Sequence, residues 1–164
     1  MLPPLRRLDP DEWHLLRLAR LTALKDSPDA FLATHEREES YSQEQWEAEF
    51  RRGDWRIGEL DGKLICMVGV THEHNPASKE RYLEYVWVAP EYRQSRVAYD
   101  MLTDVLGELK KSGIRAVTLW VLDGNDVALW LYKRLDFQGT NRRQPLQDDP
   151  GRCEEQFRLD LDEY

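Results

Sequence analysis

Apolar positions along this chain recur first at helical spacing, then at strand spacing, then at both in alternation. Residues 5–8 read as a short first strand. The run Asp9-Pro10-Asp11-Glu12 predicts a helix start, because Asp9 can cap, Pro10 has φ preset for the first helical position and Glu12 completes a capping box. Trp13, Leu16, Ala19 and Ala23 share one face of that helix, which should stop before Ser27-Pro28. A second helix starts at Ser42 with Gln45 as its capping partner, sets Trp46 and Phe50 on one side, and ends at Gly53.

The period then shortens. Residues 55–60 and 64–71 flank Asp61-Gly62, a pair suited to the positive φ angles of a tight hairpin turn. The second of these strands is apolar on both faces, so it should be internal. A polar loop over 72–79 leads to a strand at 81–88. Ala98, Met101, Leu102, Val105, Leu106 and Leu109 then follow the helical template until Gly113. A buried strand at 115–122, a shorter helix at 126–135 and a final hairpin from 137–143 and 154–161 complete the chain. The result is a mixed α/β sheet of about seven strands with about four helices, combining hairpins with one strand–helix–strand unit that implies parallel pairing.

Composition narrows the function. The 164 residues suit one domain, and 41% hydrophobic content with six tryptophans argues for a packed core. A net charge of −8 opposes nucleic-acid binding and suits a cationic acceptor. Cys66 and Cys153 lie far apart with no histidines clustered near them, so reduced thiols are expected and no metal site. The longest apolar run, 64–70, is too short to span a membrane, and the N-terminus lacks the apolar run of a signal peptide. A cytoplasmic protein is the expectation.

The turn from Val86-Trp87-Val88 through Ala89-Pro90-Glu91-Tyr92-Arg93-Gln94-Ser95-Arg96 into Val97-Ala98 joins a strand to a helix. Such a turn aims free backbone N–H groups and the positive helix end outward, which makes a ready anion site. The Val-x-Pro-Glu-Tyr-Arg run, followed later by Asn125 and by the segment from Ala128 to Phe137, resembles the GNAT superfamily of N-acetyltransferases. The segment 23–31 also looks like a group of bacterial members of unassigned substrate. The resemblance covers nearly the whole chain and is most specific from Glu84 to Phe137. It implies a mostly antiparallel central sheet splayed between its fourth and fifth strands, with the pantetheine arm of acetyl-CoA in the split.

Carried over, Val86, Trp87 and Val88 would offer backbone hydrogen bonds to pantetheine and thioester. Arg93 and Ala98 fit the ends of the phosphate loop, and the backbone of Gln94, Ser95, Arg96, Val97, Ala98 and Tyr99 would cradle the pyrophosphate. Asn125 would contact the cofactor arm, a role compatible with capping the next helix. Tyr132 would protonate the leaving thiolate, where the alternative is a core aromatic. Glu84, read as lying on the same strand face as Val86 and Val88, is a candidate base whose partial desolvation would raise its pKa; an ordinary salt bridge is the other reading. Trp120 occupies the position of an alternative base on the fifth strand and closes that option. His72 and His74 are further candidates, or simply solvated loop histidines. The implied chemistry is direct transfer of acetyl from acetyl-CoA, as cosubstrate, to a small-molecule or peptide amine. No metal, nucleic acid or membrane is involved, and homodimers are frequent in the family.

Two positions depart from the pattern. Arg96 stands where the family has glycine, so it either strains and fills the phosphate loop or pairs with phosphate through its guanidinium. Asp136 stands where glycine usually precedes the phenylalanine. The rival expectation is a catalytically impaired binding or interaction protein on the same fold.

Overall fold

The computed structural model describes residues 3–73 and 75–164, so His74 lies outside the described residues. The strands are β1 (Leu5–Arg7), β2 (Gly53–Leu60), β3 (Lys63–Thr71), β4 (Glu80–Val88), β5 (Ala116–Leu122), β6 (Gln138–Pro145) and β7 (Cys153–Asp160). The helices are α1 (Trp13–Asp26), α2 (His35–Glu39), α3 (Gln43–Phe50), α4 (Val97–Lys111) and α5 (Asp126–Arg134). The strands form one sheet in the order β1-β2-β3-β4-β5-β7-β6. Every pairing is antiparallel except β4 with β5, which is parallel.

Local signals explain much of this. Asp9 and Glu12 make the capping box ahead of α1, although its first turn, Pro10–Glu12, is a tighter 3-10 helix. Ser42 and Gln45 make a second box ahead of α3. Asp61 and Gly62 adopt φ of 52° and 74°, as the two-residue turn between β2 and β3 demands. α4 lays Met101, Leu102, Val105 and Leu106 against Val68, Val88, Val117 and Leu119 on one sheet face. On the other face α1 and α3 lay Leu16, Ala19, Trp46 and Phe50 against Trp55, Ile57, Met67 and Trp87. β3 contributes to both clusters, which is why it reads as apolar on both sides.

Three expectations are corrected. Gly53 does not end a helix: α3 stops at Phe50, and Gly53 opens β2. A Cβ there would sit 2.1 Å from the Val70 carbonyl oxygen, so the glycine serves close strand approach. A helix absent from the expectation, α2, follows Thr34, whose side chain accepts from the Arg37 N–H. The third correction concerns β4. Tyr85 has φ 51°, and the pairing with β3 slips between Met67 and Gly69. This bulge inserts one residue and flips the alternation beyond it. Leu83 and Val86 therefore both face the α4 side, while Tyr85 and Trp87 face α1 and α3.

α5 ends in a Schellman turn. Phe137 N–H donates to the Tyr132 carbonyl at 3.0 Å and Asp136 N–H to the Lys133 carbonyl at 3.1 Å, with Asp136 at φ 64°. The left-handed backbone is the physical reason a glycine suits this site. Asp136→Gly should therefore stabilise the protein by about 0.5–1 kcal/mol, and Asp136→Val should destabilise it, both read by urea unfolding.

Candidate active site

β4 and β5 pair only at Glu80 with Ala116, Arg81 with Val117 and Tyr82 with Thr118. Past Tyr82 and Thr118 both strands continue but no longer bond each other, so the sheet opens toward their C-terminal ends. A crevice at the C-terminal ends of parallel strands, each followed by a helix, is the usual ligand position in an open α/β sheet. Here the helices that follow are α4 and α5.

The turn between β4 and α4 is shaped by anchors on its inner side. Arg93 donates from Nε to the Val88 carbonyl at 2.9 Å and from Nη2 to Asp26 and Ser27. Trp87 Nε1 donates to the same Asp26 carboxylate at 2.9 Å. Burial pulls the Asp26 carboxyl upward, but hydrogen bonds from Ser27, Trp87 and Arg93 outweigh it and hold it below the usual range. The Arg93 side chain thus ties the loop to the end of α1. Gln94 is left-handed at φ 59°, and Ser95 Oγ accepts the Val97 N–H at 3.4 Å. The backbone N–H groups of Gln94, Ser95, Arg96, Ala98 and Tyr99 find no acceptor among the described residues. Unpaired N–H groups at the start of a fifteen-residue helix make a cradle that an anion would fit.

Arg96 causes no strain in this cradle. Its φ of −83° and ψ of 1° are open to any residue. The guanidinium turns back along α4, 3.3 Å from Asp100 and 5.3 Å over the Tyr99 ring, with its side chain 76% exposed. The strain expected from a side chain in the glycine position is absent.

Asn125 caps α5 by accepting the Ala128 N–H at 3.3 Å. It lines a pocket of about 80 Å³ with Val121, Leu122, Asp123 and Leu129. Tyr132 projects from α5 into the α4-side cluster, 5.7 Å from the Phe137 ring at 60°. Burial alone pushes its hydroxyl well above the ordinary tyrosine range, which keeps it protonated.

Glu84 lies elsewhere than expected. The bulge at Tyr85 puts it on the α1 and α3 side, away from the face of Val86 and Val88. It also has a cationic partner in place of an apolar pocket: Arg52 Nη2 donates to it at 2.7 Å, and the Glu84 side chain is 30% exposed. Burial pulls Arg52 downward, yet Glu84 and Glu49 together hold its guanidinium above the ordinary value. The chain of charges continues inward. Glu49 Oε2 accepts from Arg52 at 3.0 Å and from Arg20 at 2.8 Å. Arg20 is 2% exposed, lies over the Trp46, Trp55 and Tyr85 rings, and donates to Glu38 and to the Tyr85 hydroxyl. Sequence reasoning missed this cluster. Its one signal is Arg20 itself, a charge four residues after Leu16 on the apolar side of α1.

The other candidates stand apart. His72 follows β3, with its Nδ1 buried and unpartnered among the described residues. Trp120 sits on β5 beneath the Arg142 guanidinium at 5.9 Å. Cys66 is buried, which pushes its thiol up to about 11 and suits it poorly to nucleophilic work. Among the described residues no group of three or more His, Cys, Asp or Glu side chains is arranged to hold a metal. None of the described helices is long and apolar enough to cross a membrane.

Comparison with known proteins agrees with this fold. The profile of the acetyltransferase (GNAT) family matches residues 20–137, spanning both β4 and β5 with the helices that follow them. The chain belongs to the GNAT family. Among solved structures, GNAT folds of nearly the same length superpose on it. The ribosomal-protein-S18-alanine N-acetyltransferase of Escherichia coli has a TM-score of 0.70 at 17% identity, covering 98% of this chain and 94% of that one. An N-acetyltransferase from Staphylococcus aureus Mu50 has a TM-score of 0.74 at 15% identity, over 98% and 99% of the two chains. The Salmonella typhimurium protein yncA, solved with its cofactor acetyl-CoA, has a TM-score of 0.73 at 14% identity, over 100% and 96%. At such identities these likenesses establish the GNAT fold and nothing finer. No curated protein sequence matches the chain significantly.

Proposed function

We propose that this GNAT protein moves an acetyl group from acetyl-CoA to a primary amine by direct attack in a ternary complex. The observation that carries the reading is the set of unpaired N–H groups of Gln94, Ser95, Arg96, Ala98 and Tyr99 at the open end of the β4–β5 split. That set fits a pyrophosphate, and the split fits the extended pantetheine arm beyond it. The β4 edge at Val86, Trp87 and Val88, unpaired toward β5, supplies backbone groups for the arm and for the developing oxyanion. Asn125 flanks the arm from the start of α5.

The two proton-transfer groups lie on opposite sheet faces. Glu84 is on the α1 and α3 side and Tyr132 on the α4 side. In this arrangement Glu84 takes the proton of the acceptor ammonium, directly or through water, and the freed nitrogen attacks the thioester carbonyl. The new C–N bond forms, the C–S bond breaks, Tyr132 gives its proton to the departing sulfur, and the nitrogen releases its second proton to solvent. Neither cysteine is needed. The acceptor is a small-molecule or peptide amine. A cytoplasmic setting suits a reaction that consumes acetyl-CoA.

A continuous assay of free CoA thiol, run with acetyl-CoA against a panel of amines and peptide N-termini, tests the reading. Amine-dependent thiol release with matching N-acetyl product supports it. Acetyl-CoA binding without turnover on any amine would favour the impaired binding protein.

A further inference from the structure

A second cavity, of about 290 Å³, lies at the far end of α4 from the turn between β4 and α4, near Glu108 and Ser112. Fifteen helical residues at about 1.5 Å each separate the two ends by roughly 20 Å. The cavity is lined by four cationic residues, Arg7, Arg56, Lys79 and Arg81, against the carboxylates Asp54 and Glu108. This excess of cations stands out in a chain whose net charge is −8.

The cations differ in how far they are neutralised. Arg7 pairs with Asp54 at 3.2 Å. Arg81 is spent on the backbone of its own loop, donating to the carbonyls of Ser78, Glu80 and Pro76. Lys79 forms no ion pair among the described residues, and its Nζ lies near Gly113, 3.9 Å from where a Cβ would stand. Arg56 is the informative one. It is 4% exposed, and only its Nη1 is engaged, donating to Glu108 at 2.7 Å. Its Nε is buried and has no partner among the described residues. Nε and Nη2 form one edge of the guanidinium, two parallel donors that match two oxygens of a carboxylate or phosphate. Only Nε of that edge is a buried atom; leaving it unbonded is costly, and an oxyanion drawn against the edge relieves it.

We propose that this cavity binds a small molecule bearing an oxyanion, phosphate or carboxylate, held by the Nε/Nη2 edge of Arg56 and closed over by Lys79. Neither group belongs to the acyl-transfer site, so the site stands whether or not the chain transfers acetyl groups.

The test is nuclear magnetic resonance of the arginine Nε–Hε signals in the full chain, titrated with inorganic phosphate or malonate. Sodium chloride at matched ionic strength is the control. The Arg56 signal is identified by its loss in Arg56→Lys and, should that variant fold poorly, by the shift it undergoes in Lys79→Ala, an exposed change. The expected result is a saturable shift of the Arg56 signal, with affinity about tenfold weaker in Lys79→Ala. Saturation by phosphate alone assigns a phosphate ligand, and by malonate alone a carboxylate. A shift that only follows chloride, or an affinity unchanged by Lys79→Ala, overturns the proposal. So does saturable binding seen only in the amides of 94–99.

Discussion

Tyr132→Phe should lower kcat by about a hundredfold to ten-thousandfold while changing acetyl-CoA affinity by less than about twofold. The substitution keeps the ring against Phe137 and removes a single hydroxyl, so the fold should be nearly unaffected. Burial raises the Tyr132 hydroxyl, which by itself makes a weaker acid. On the proposed mechanism the departing thiolate is desolvated in the split as well, and burial makes a thiolate a stronger base, so the loss of the donor is expected in turnover. Steady-state kinetics with calorimetric acetyl-CoA affinities checks this. An unchanged kcat would leave Tyr132 as a core aromatic only.

Arg20→Met should destabilise the fold by about 3–5 kcal/mol, because it leaves Glu38 charged in the interior. Glu38 is 1% exposed, and Arg20 and the Tyr85 hydroxyl are its hydrogen-bond partners. Adding Glu38→Leu to the variant should recover part of the loss, since a buried pair replaced by apolar groups costs less than a broken one. The same cluster sets an acid limit. Burial would raise the Glu49 carboxyl, but hydrogen bonds and charge from Arg20 and Arg52 outweigh it and hold it below the ordinary glutamate range. Its folded pKa therefore lies below the unfolded one. The stability it contributes is complete above about pH 4.3 and is lost as pH falls through the lower folded value. Urea unfolding across pH reads both effects. A loss below about 1 kcal/mol for Arg20→Met would show that the cluster is not a structural hub.

How much could be read from the chain alone depended on the range of each signal. The two capping boxes, the Asp61-Gly62 turn and the stripe on α4 are local, so the sequence carries them directly. α2 has five residues, too few for a period, and it docks because Glu38 meets Arg20 from a distant part of the chain. Gly53 looked like a helix stop because its true constraint, the nearby Val70 backbone, is a neighbour across the sheet. Simple alternation puts Glu84 on the wrong face for a similar reason. Alternation holds only on a regular strand, and nothing local marks Tyr85 as left-handed. The Arg52 partner of Glu84 lies on the approach to β2, 32 residues earlier. Arg96 shows the converse: its mismatch with the family pattern was plain, but only the backbone angle shows that the turn accepts it.

Calorimetric titration of the purified protein with acetyl-CoA, beside Arg96→Gly, tests the cofactor site most directly. The expected result is one-to-one binding with Kd on the order of 1–100 μM for the natural protein, and no gain of more than a few-fold for the variant. No binding by the folded natural protein at millimolar acetyl-CoA would contradict the proposed function, whether or not Arg96→Gly then bound.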